Sequence, residues 1–363
     1  MKMLTKEINQ LSIAVTGMNA RADNPGPGMA VARCLREMVN FQGKIIGLGY
    51  DVLDPGLFQT ELTDAGYLLP YPSAGEQELL ARLQYIQEKE GIDILIPCLD
   101  AEILSMIHLQ DEIAALGIKM LLPTKDQLQL RNKDRLHEFA NEIGVKTPEQ
   151  TTVTNSSFFN DCTKKGWSYP LVVKGQFYDA GIAYNPEQAI ALFHKIAAVW
   201  GMPILVQKLI EGDEVNLTGL GDGEGNLLGT VMMRKRAITD KGKAWAGITV
   251  HDGGLLKEAE KLVQALKWCG PLEVEMMRDD QGDYYLIEIN PRFPAWIYLA
   301  KANGNNLPRV LLEILQQQPL SELETPKVGT LFIRYAQDVI VSLADFEAMT
   351  MTGERAKQDL KND

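Results

Sequence analysis

LEVEMMRDDQGDYYLIEINPRF, residues 272–293, reads as two strands joined by a polar turn. Glu273 and Glu275 alternate on the first strand, so both point to one face. Asp279-Asp280-Gln281-Gly282-Asp283 is turn chemistry. The second strand, 284–289, is apolar until it closes on Glu288, Asn290 and Arg292. Glu288 and Asn290 are two apart and share a face. In the simplest register Glu275 lies near both. Two carboxylates and an amide oxygen form a hard-oxygen cluster suited to Mg²⁺, which binds through a few carboxylates and completes its shell with substrate phosphates. Arg292, just beyond, can hold an anionic oxygen. The competing reading is a solvated hairpin with an acidic rim.

At 363 residues the chain can bury a large core in two or three lobes. Its apolar content of 45% and charged content of 23% are those of a globular protein. The net charge of −12 argues against nucleic acid or an anionic membrane as partner. Any anion site must therefore concentrate its lysines and arginines locally. Cys34, Cys98, Cys162 and Cys269 are far apart and share no metal-ligand spacing, which reads as free thiols in a reducing compartment. The N-terminus has no long apolar stretch before a small-residue cleavage site, and no run of about 18 uncharged apolar residues occurs. The expectation is a cytoplasmic protein without a membrane span.

Residues 1–125 alternate strand and helix: strands at 11–16, 44–48, 92–97 and 119–122, and helices at 26–38, 77–90 and 100–115. This alternation implies a parallel sheet with helices on its faces. The turn TGMNARADNPGPG lacks the G-x-G-x-x-G spacing, which disfavours a nicotinamide site. Asp100 follows a strand end, where ligands gather in open α/β sheets, although an N-cap for the next helix explains it equally simply. A helix over 125–142 carries Arg131-Asn132-Lys133-Asp134-Arg135, on its own a solvated basic face. Leu171-Val172-Val173-Lys174 is an apolar strand ending in a lysine that needs an anion or a path to water. The segment 204–210 is a strand running into the acidic turn Glu211-Gly212-Asp213-Glu214. Residues 215–233 form a hairpin around 221–226. The densest basic patch follows: Arg234, Lys235, Arg236, Lys241 and Lys243, either an anion site or a solvated face. A helix over 255–268 leads into the acidic hairpin. His108, His137 and His194 fall in predicted helices, and His251 beside Asp252 is a weak acceptor-site candidate.

In this order the motifs resemble the ATP-grasp fold, as in biotin carboxylase, the carbamoyl phosphate synthetase large subunit and D-alanine–D-alanine ligase. The resemblance covers roughly residues 10–320. It implies an α/β and α+β protein: a Rossmann-like pre-ATP-grasp domain (1–125), a two-lobed ATP-grasp domain (126–320, central lobe about 151–216) and a C-terminal segment (321–363). It implies Mg²⁺, or Mn²⁺ in its place, on Glu275, Glu288 and Asn290. Lys133 and Lys174 would meet the ATP phosphates. Gln207 stands where the family often has Glu beside the purine. Lys208 and Leu209 belong to that hinge, with Leu209 offering the backbone contact, and Glu214 would accept from the ribose. The loop 175–185 matches the family's phosphate-covering loop, but it is short and keeps only Gly175 and Gly181. There Asp179 would repel phosphate unless it holds the loop closed. Trp296 and Tyr298 are core or acceptor-pocket walls.

The implied activity is that of a ligase. A carboxylate attacks the γ-phosphorus, Arg292 steadies the reacting oxygens, and an amine then displaces phosphate from the acyl phosphate. The chain is short for the duplicated synthetase and its glycine loop is altered, which favours a free-standing amino acid or small-peptide ligase, with a homo-oligomer as the family habit. A kinase of the same fold and a non-catalytic nucleotide-binding partner are the alternatives. The strand at 328–334 has no assigned role.

Overall fold

The computed structural model describes residues 6–21, 24–131, 133–175, 179–240 and 242–355, with backbone alone at 24, 25, 133 and 134. Three sheets of four or more strands organise it. The first contains β1 (Ser12–Val15), β2 (Lys44–Gly49), β3 (Ala65–Leu68) and β4 (Ile94–Ile96) in the parallel order β3-β2-β1-β4. Every side chain of β1 and β4 is buried, as in a sheet covered on both faces. Helix α1 (Gly28–Arg36) covers one face. The other is covered by α2 (Glu76–Glu90), α3 (Asp100–His108) and α4 (Gln110–Ala115).

The sequence anticipates one helix over 100–115 and finds two, because Leu109 leaves helical geometry (φ −92°, ψ 11°) and buries its side chain in the α2–α4 core. The expected strand at 119–122 reduces to a single bridge from Lys119 to Ile94. The expected helix over 125–142 is likewise two, α5 (Lys125–Leu130) and α6 (Lys133–Glu142). A reciprocal Thr124–Gln127 cap starts α5. Asp100 is the first residue of α3 rather than its cap, a position held by Leu99.

The second sheet contains β5 (Gln150–Val153), β6 (Leu171–Lys174), β7 (Ala180–Ala183) and β8 (Ile204–Lys208) in the antiparallel order β5-β8-β6-β7. Phe193 and Ile196 of α7 (Pro186–Trp200) pack on Leu171, Val173, Ile204 and Val206. The third sheet contains β9 (Asp213–Asp222), β10 (Leu227–Ile238), β11 (Ala244–Val250), β12 (Cys269–Arg278), β13 (Tyr284–Asn290) and β14 (Leu331–Ile333), in the order β13-β12-β9-β10-β11-β14. Helix α8 (Gly253–Leu266) lays Leu255, Ala259, Leu262 and Val263 on one face of it, capped by Asp252, which accepts from the backbone N–H groups of Gly254 and Leu255.

Beyond β14 the chain crosses back to the first sheet through α10, following α9 (Leu307–Leu315) and running Leu343–Thr352. Met349 is fully buried with α1 and β1 residues. The Leu68 N–H donates to the Gly353 carbonyl (2.8 Å), and the Arg355 N–H donates to Gly66 (2.9 Å). The guanidinium groups of Arg82 and Arg355 bind the carbonyls of Gly353 (2.6 Å) and Thr63 (2.7 Å). The returning segment thus closes the open edge of β3. Among the described residues no helix is long and apolar enough to cross a membrane.

Candidate active site

The acidic hairpin is the pair β12–β13. Its turn closes on Asp279, whose N–H donates to the Asp283 carbonyl (3.0 Å) and whose carboxylate accepts from the N–H groups of Gln281 and Asp283. Met276 pairs with Leu286, but the next residue back, Glu275, pairs with Glu288. Ile287 is therefore the extra residue of a β-bulge. Leu286 and Ile289 both enter the core under α8 although they are three apart. The bulge absorbs the odd residue and leaves Glu288 and Asn290 on the face of Glu275 and Glu273, with Asn290 paired to Glu273.

On that face Asn290 Nδ2 donates to Glu275 Oε1 (2.9 Å) and to Glu273 Oε2 (3.1 Å). With both protons committed, the amide oxygen points the other way. Glu273 is nearly buried and also accepts from Trp296 Nε1 (2.6 Å) and Asn216 Nδ2 (3.0 Å). Burial, then the charge of Glu275, pushes the Glu273 carboxyl above its usual range. Burial acts the same way on Glu275, but Lys235 and Lys243 outweigh it and hold Glu275 well below the carboxylate range. The neighbouring Glu214 moves up to about 7, mainly by burial, with Glu275 adding to the rise and Lys235 opposing it. The face thus holds one firmly ionised carboxylate beside two that resist ionisation. Glu275, Glu288 and Asn290 carry the oxygen types that a hard divalent cation takes, the Asn290 oxygen only once its amide turns toward the carboxylates. Among the described residues no three acidic, histidine or cysteine side chains form a metal-holding group, so substrate oxygens or water would complete the shell.

Arg292 follows β13 and is turned toward the first sheet. Its Nε donates to Asp100 Oδ2 (2.8 Å), and its Nη1 lies 3.8 Å from Glu273. Arg131 reaches the other oxygen of Asp100 at 3.4 Å. Burial alone would raise the Asp100 pKa, but the two guanidinium groups hold it below the ordinary value. Trp296 is a buried wall that anchors Glu273, whereas Tyr298 lies away from the carboxylates and bonds Glu37.

The second sheet supplies a cleft wall opposite β13. Lys174, Leu205 and Gln207 face Leu286 and Ile287, with Leu136, His137, Thr147 and Gln150 around them. Gln207 is buried and donates to Gln150 Oε1 (3.3 Å). Lys208 turns elsewhere, pairing with Glu149 and lying 5.8 Å over the Trp167 ring. Leu209 follows directly, partly exposed. Lys133 opens α6, but its side chain, like residues 176–178 and Lys241, lies outside the described residues. Asp179 is held by Trp200 Nε1 (2.7 Å), and its carbonyl accepts from the Gly175 N–H (2.9 Å). His137 bonds Thr147 at the cleft rim, and His251 only precedes the Asp252 cap.

The family described as ATP-grasp in the biosynthetic pathway with Ter operon matches residues 201–338. A carbamoyl phosphate synthase large chain from Thermomicrobium roseum is 26% identical over 232 residues, 60% of this chain and 21% of that protein. The chain thus spans about a fifth of the length of the curated relatives it matches. A biotin carboxylase–βγ-ATP complex from Campylobacter jejuni superposes with a TM-score of 0.66 at 16% identity, over 88% of this chain and 74% of that one. An L-amino acid ligase from Bacillus licheniformis does so with a TM-score of 0.62 at 17% identity, over 85% and 74%. Residues 201–338 thus match an ATP-grasp family, and the fold as a whole is that of these neighbours. The first, parallel sheet and the two antiparallel sheets correspond to the fold that the sequence resemblance implies.

One basic residue within the field of the hairpin carboxylates escapes the sequence reading. Arg334, just after β14, donates Nε to the Ala244 carbonyl (2.9 Å) and stacks 5.5 Å over Phe332. Burial lowers its pKa to about 10, opposed only by the field of Glu273, and no carboxylate pairs with it among the described residues. A basic residue closing the apolar run Leu331-Phe332-Ile333 is the available sequence signal. It is the same signal that singles out Lys174.

Proposed function

We propose that this ATP-grasp protein is an ATP-dependent ligase that activates a carboxylate as an acyl phosphate and joins it to the amine of an amino acid or small peptide. The observation that supports this reading is the β12–β13 register, which sets Glu275 opposite Glu288 and beside Asn290, one residue beyond Ile287 of the cleft between the second and third sheets.

Glu275, Glu288 and Asn290 would hold Mg²⁺ or Mn²⁺, which would neutralise phosphate charge. Lys174, with Lys133, balances the remaining phosphate charge. Gln207 and the Lys208–Leu209 backbone flank the base, Ile287 forms its apolar wall, and Glu214 meets the ribose. Arg292, fixed by Asp100, and Arg334, without a carboxylate partner among the described residues, face the reacting carboxylate. Attack on the γ-phosphorus forms the carboxylate–phosphorus bond and releases ADP. The amine then attacks the acyl carbon, forms the C–N bond, and expels phosphate with loss of a proton. Positioning and charge neutralisation supply the rate.

The test is ADP and phosphate release with Mg²⁺-ATP across pools of carboxylates and amino acids. Equal ADP and phosphate, only when a carboxylate and an amine are both present, is the expected result. ADP without phosphate would instead mark a kinase, and ATP binding without turnover in any pool would leave only a nucleotide-binding role.

A further inference from the structure

Lys235 ties together three neighbouring strands of the third sheet. It projects from β10 and is 9% exposed. Its Nζ donates to Glu214 of β9 and to the Gly242 carbonyl (3.1 Å), and stands 3.6 Å from Glu275 Oε2 of β12. The fully buried Asn216 lies on the same face, paired with Glu275 in the β9–β12 register. Its Nδ2 serves Glu273, while its buried Oδ1 has no hydrogen-bond partner among the described residues. The carboxylates are thus gathered around one tethered ammonium, with a spare amide oxygen beside them.

Two carboxylates this close, away from bulk water, repel unless a cation stands between them. Lys235 supplies that cation from the chain itself. A divalent ion approaching Glu275 alone meets this ammonium as a like charge. The same ion arriving with a nucleotide triphosphate brings excess negative charge, and the repulsion is offset.

We propose that Lys235 is a positioning residue that holds Glu214 and Glu275 together in the empty site and competes with divalent metal for Glu275, so that metal enters with the nucleotide rather than before it. This rests on the assignment of Glu275, Glu288 and Asn290 as the metal donors.

Equilibrium dialysis with Mn²⁺, its concentration read by electron paramagnetic resonance, tests the idea on the full chain. Without nucleotide, Lys235→Met and Lys235→Gln should bind Mn²⁺ about tenfold more tightly than the wild type, the ratio that one relieved like-charge contact near a protein surface readily supplies. Lys235→Arg, which keeps the charge, should stay at the wild-type affinity. With ATP present the differences should shrink to about threefold or less. A purely structural lysine predicts the reverse: loosened carboxylates and weaker metal binding in both neutral variants, restored by arginine. Unchanged or weaker Mn²⁺ binding in both neutral variants overturns the proposal. Glu288→Gln is dialysed in parallel against Mn²⁺-ATP. If it binds as well as the wild type, the donor assignment itself falls. If it loses Mn²⁺-ATP while the Lys235 variants bind free Mn²⁺ no better, only the role of Lys235 falls.

Discussion

Asp100 is the residue through which the first sheet reaches the acidic hairpin. Its carboxylate takes Arg292 at 2.8 Å and Arg131 at 3.4 Å, and each partner is more than four-fifths buried. Asp100→Asn leaves two guanidinium groups facing a neutral amide, and should cost about 2–3 kcal/mol, below the range for fully buried pairs because water reaches part of the site. Urea denaturation at pH 7 measures it. The pH dependence has a fixed sign. The native pKa of Asp100 is depressed, so its contribution is complete above the ordinary carboxylate value of about 4 and is lost as pH falls from there through the native value. The gap between wild type and variant should therefore narrow below about pH 4. A gap that widens on acidification would mean that Asp100 is not the ionised partner. The sequence shows Asp100 at a strand end but not its partner, because the ion pair spans 192 positions and no local pattern records it.

At the scale of elements, the hairpin is legible to the extent that its alternation is regular. Glu273 and Glu275 obey period two, and their shared face follows from the residues alone. Glu288 and Asn290 obey it as well. The bulge at Ile287 lies before both, so the reading of that face survives a feature that the alternation does not reveal. The helix break at Leu109 is invisible for a related reason: apolar periodicity continues through it while the backbone turns. The bulge has a consequence for binding. It turns the Ile287 side chain into the cleft, facing Lys174 and Gln207. Ile287→Ala removes apolar contact area there and should raise the Kd for ATP about 5- to 10-fold, from roughly 1–1.5 kcal/mol of lost burial. Isothermal titration would show it, with an unchanged Kd contradicting the placement of the base against β13.

At the scale of the molecule, the residues after β14 join the third sheet to the first. Met349 is fully buried in the core that also holds residues of α1 and β1. Met349→Ala should cost about 2–4 kcal/mol of unfolding free energy, the range for emptying a core methionine site. A loss under about 0.5 kcal/mol would show that the segment rests on the surface rather than in the core. Little of this is legible beforehand, since Gly353 acts through its backbone, the Arg355 guanidinium seeks a carbonyl 292 residues away, and neither carries an apolar pattern. Arg82 waits for a carbonyl 271 residues further along the chain. At the ribosomal pace of roughly 5–20 residues per second, that partner emerges on the order of 15–50 seconds after Arg82 does. During synthesis the β3 edge is thus an unfinished seam for longer than most domains take to fold. Shielding it in that interval falls to chaperones or to the speed of translation, not to the native structure.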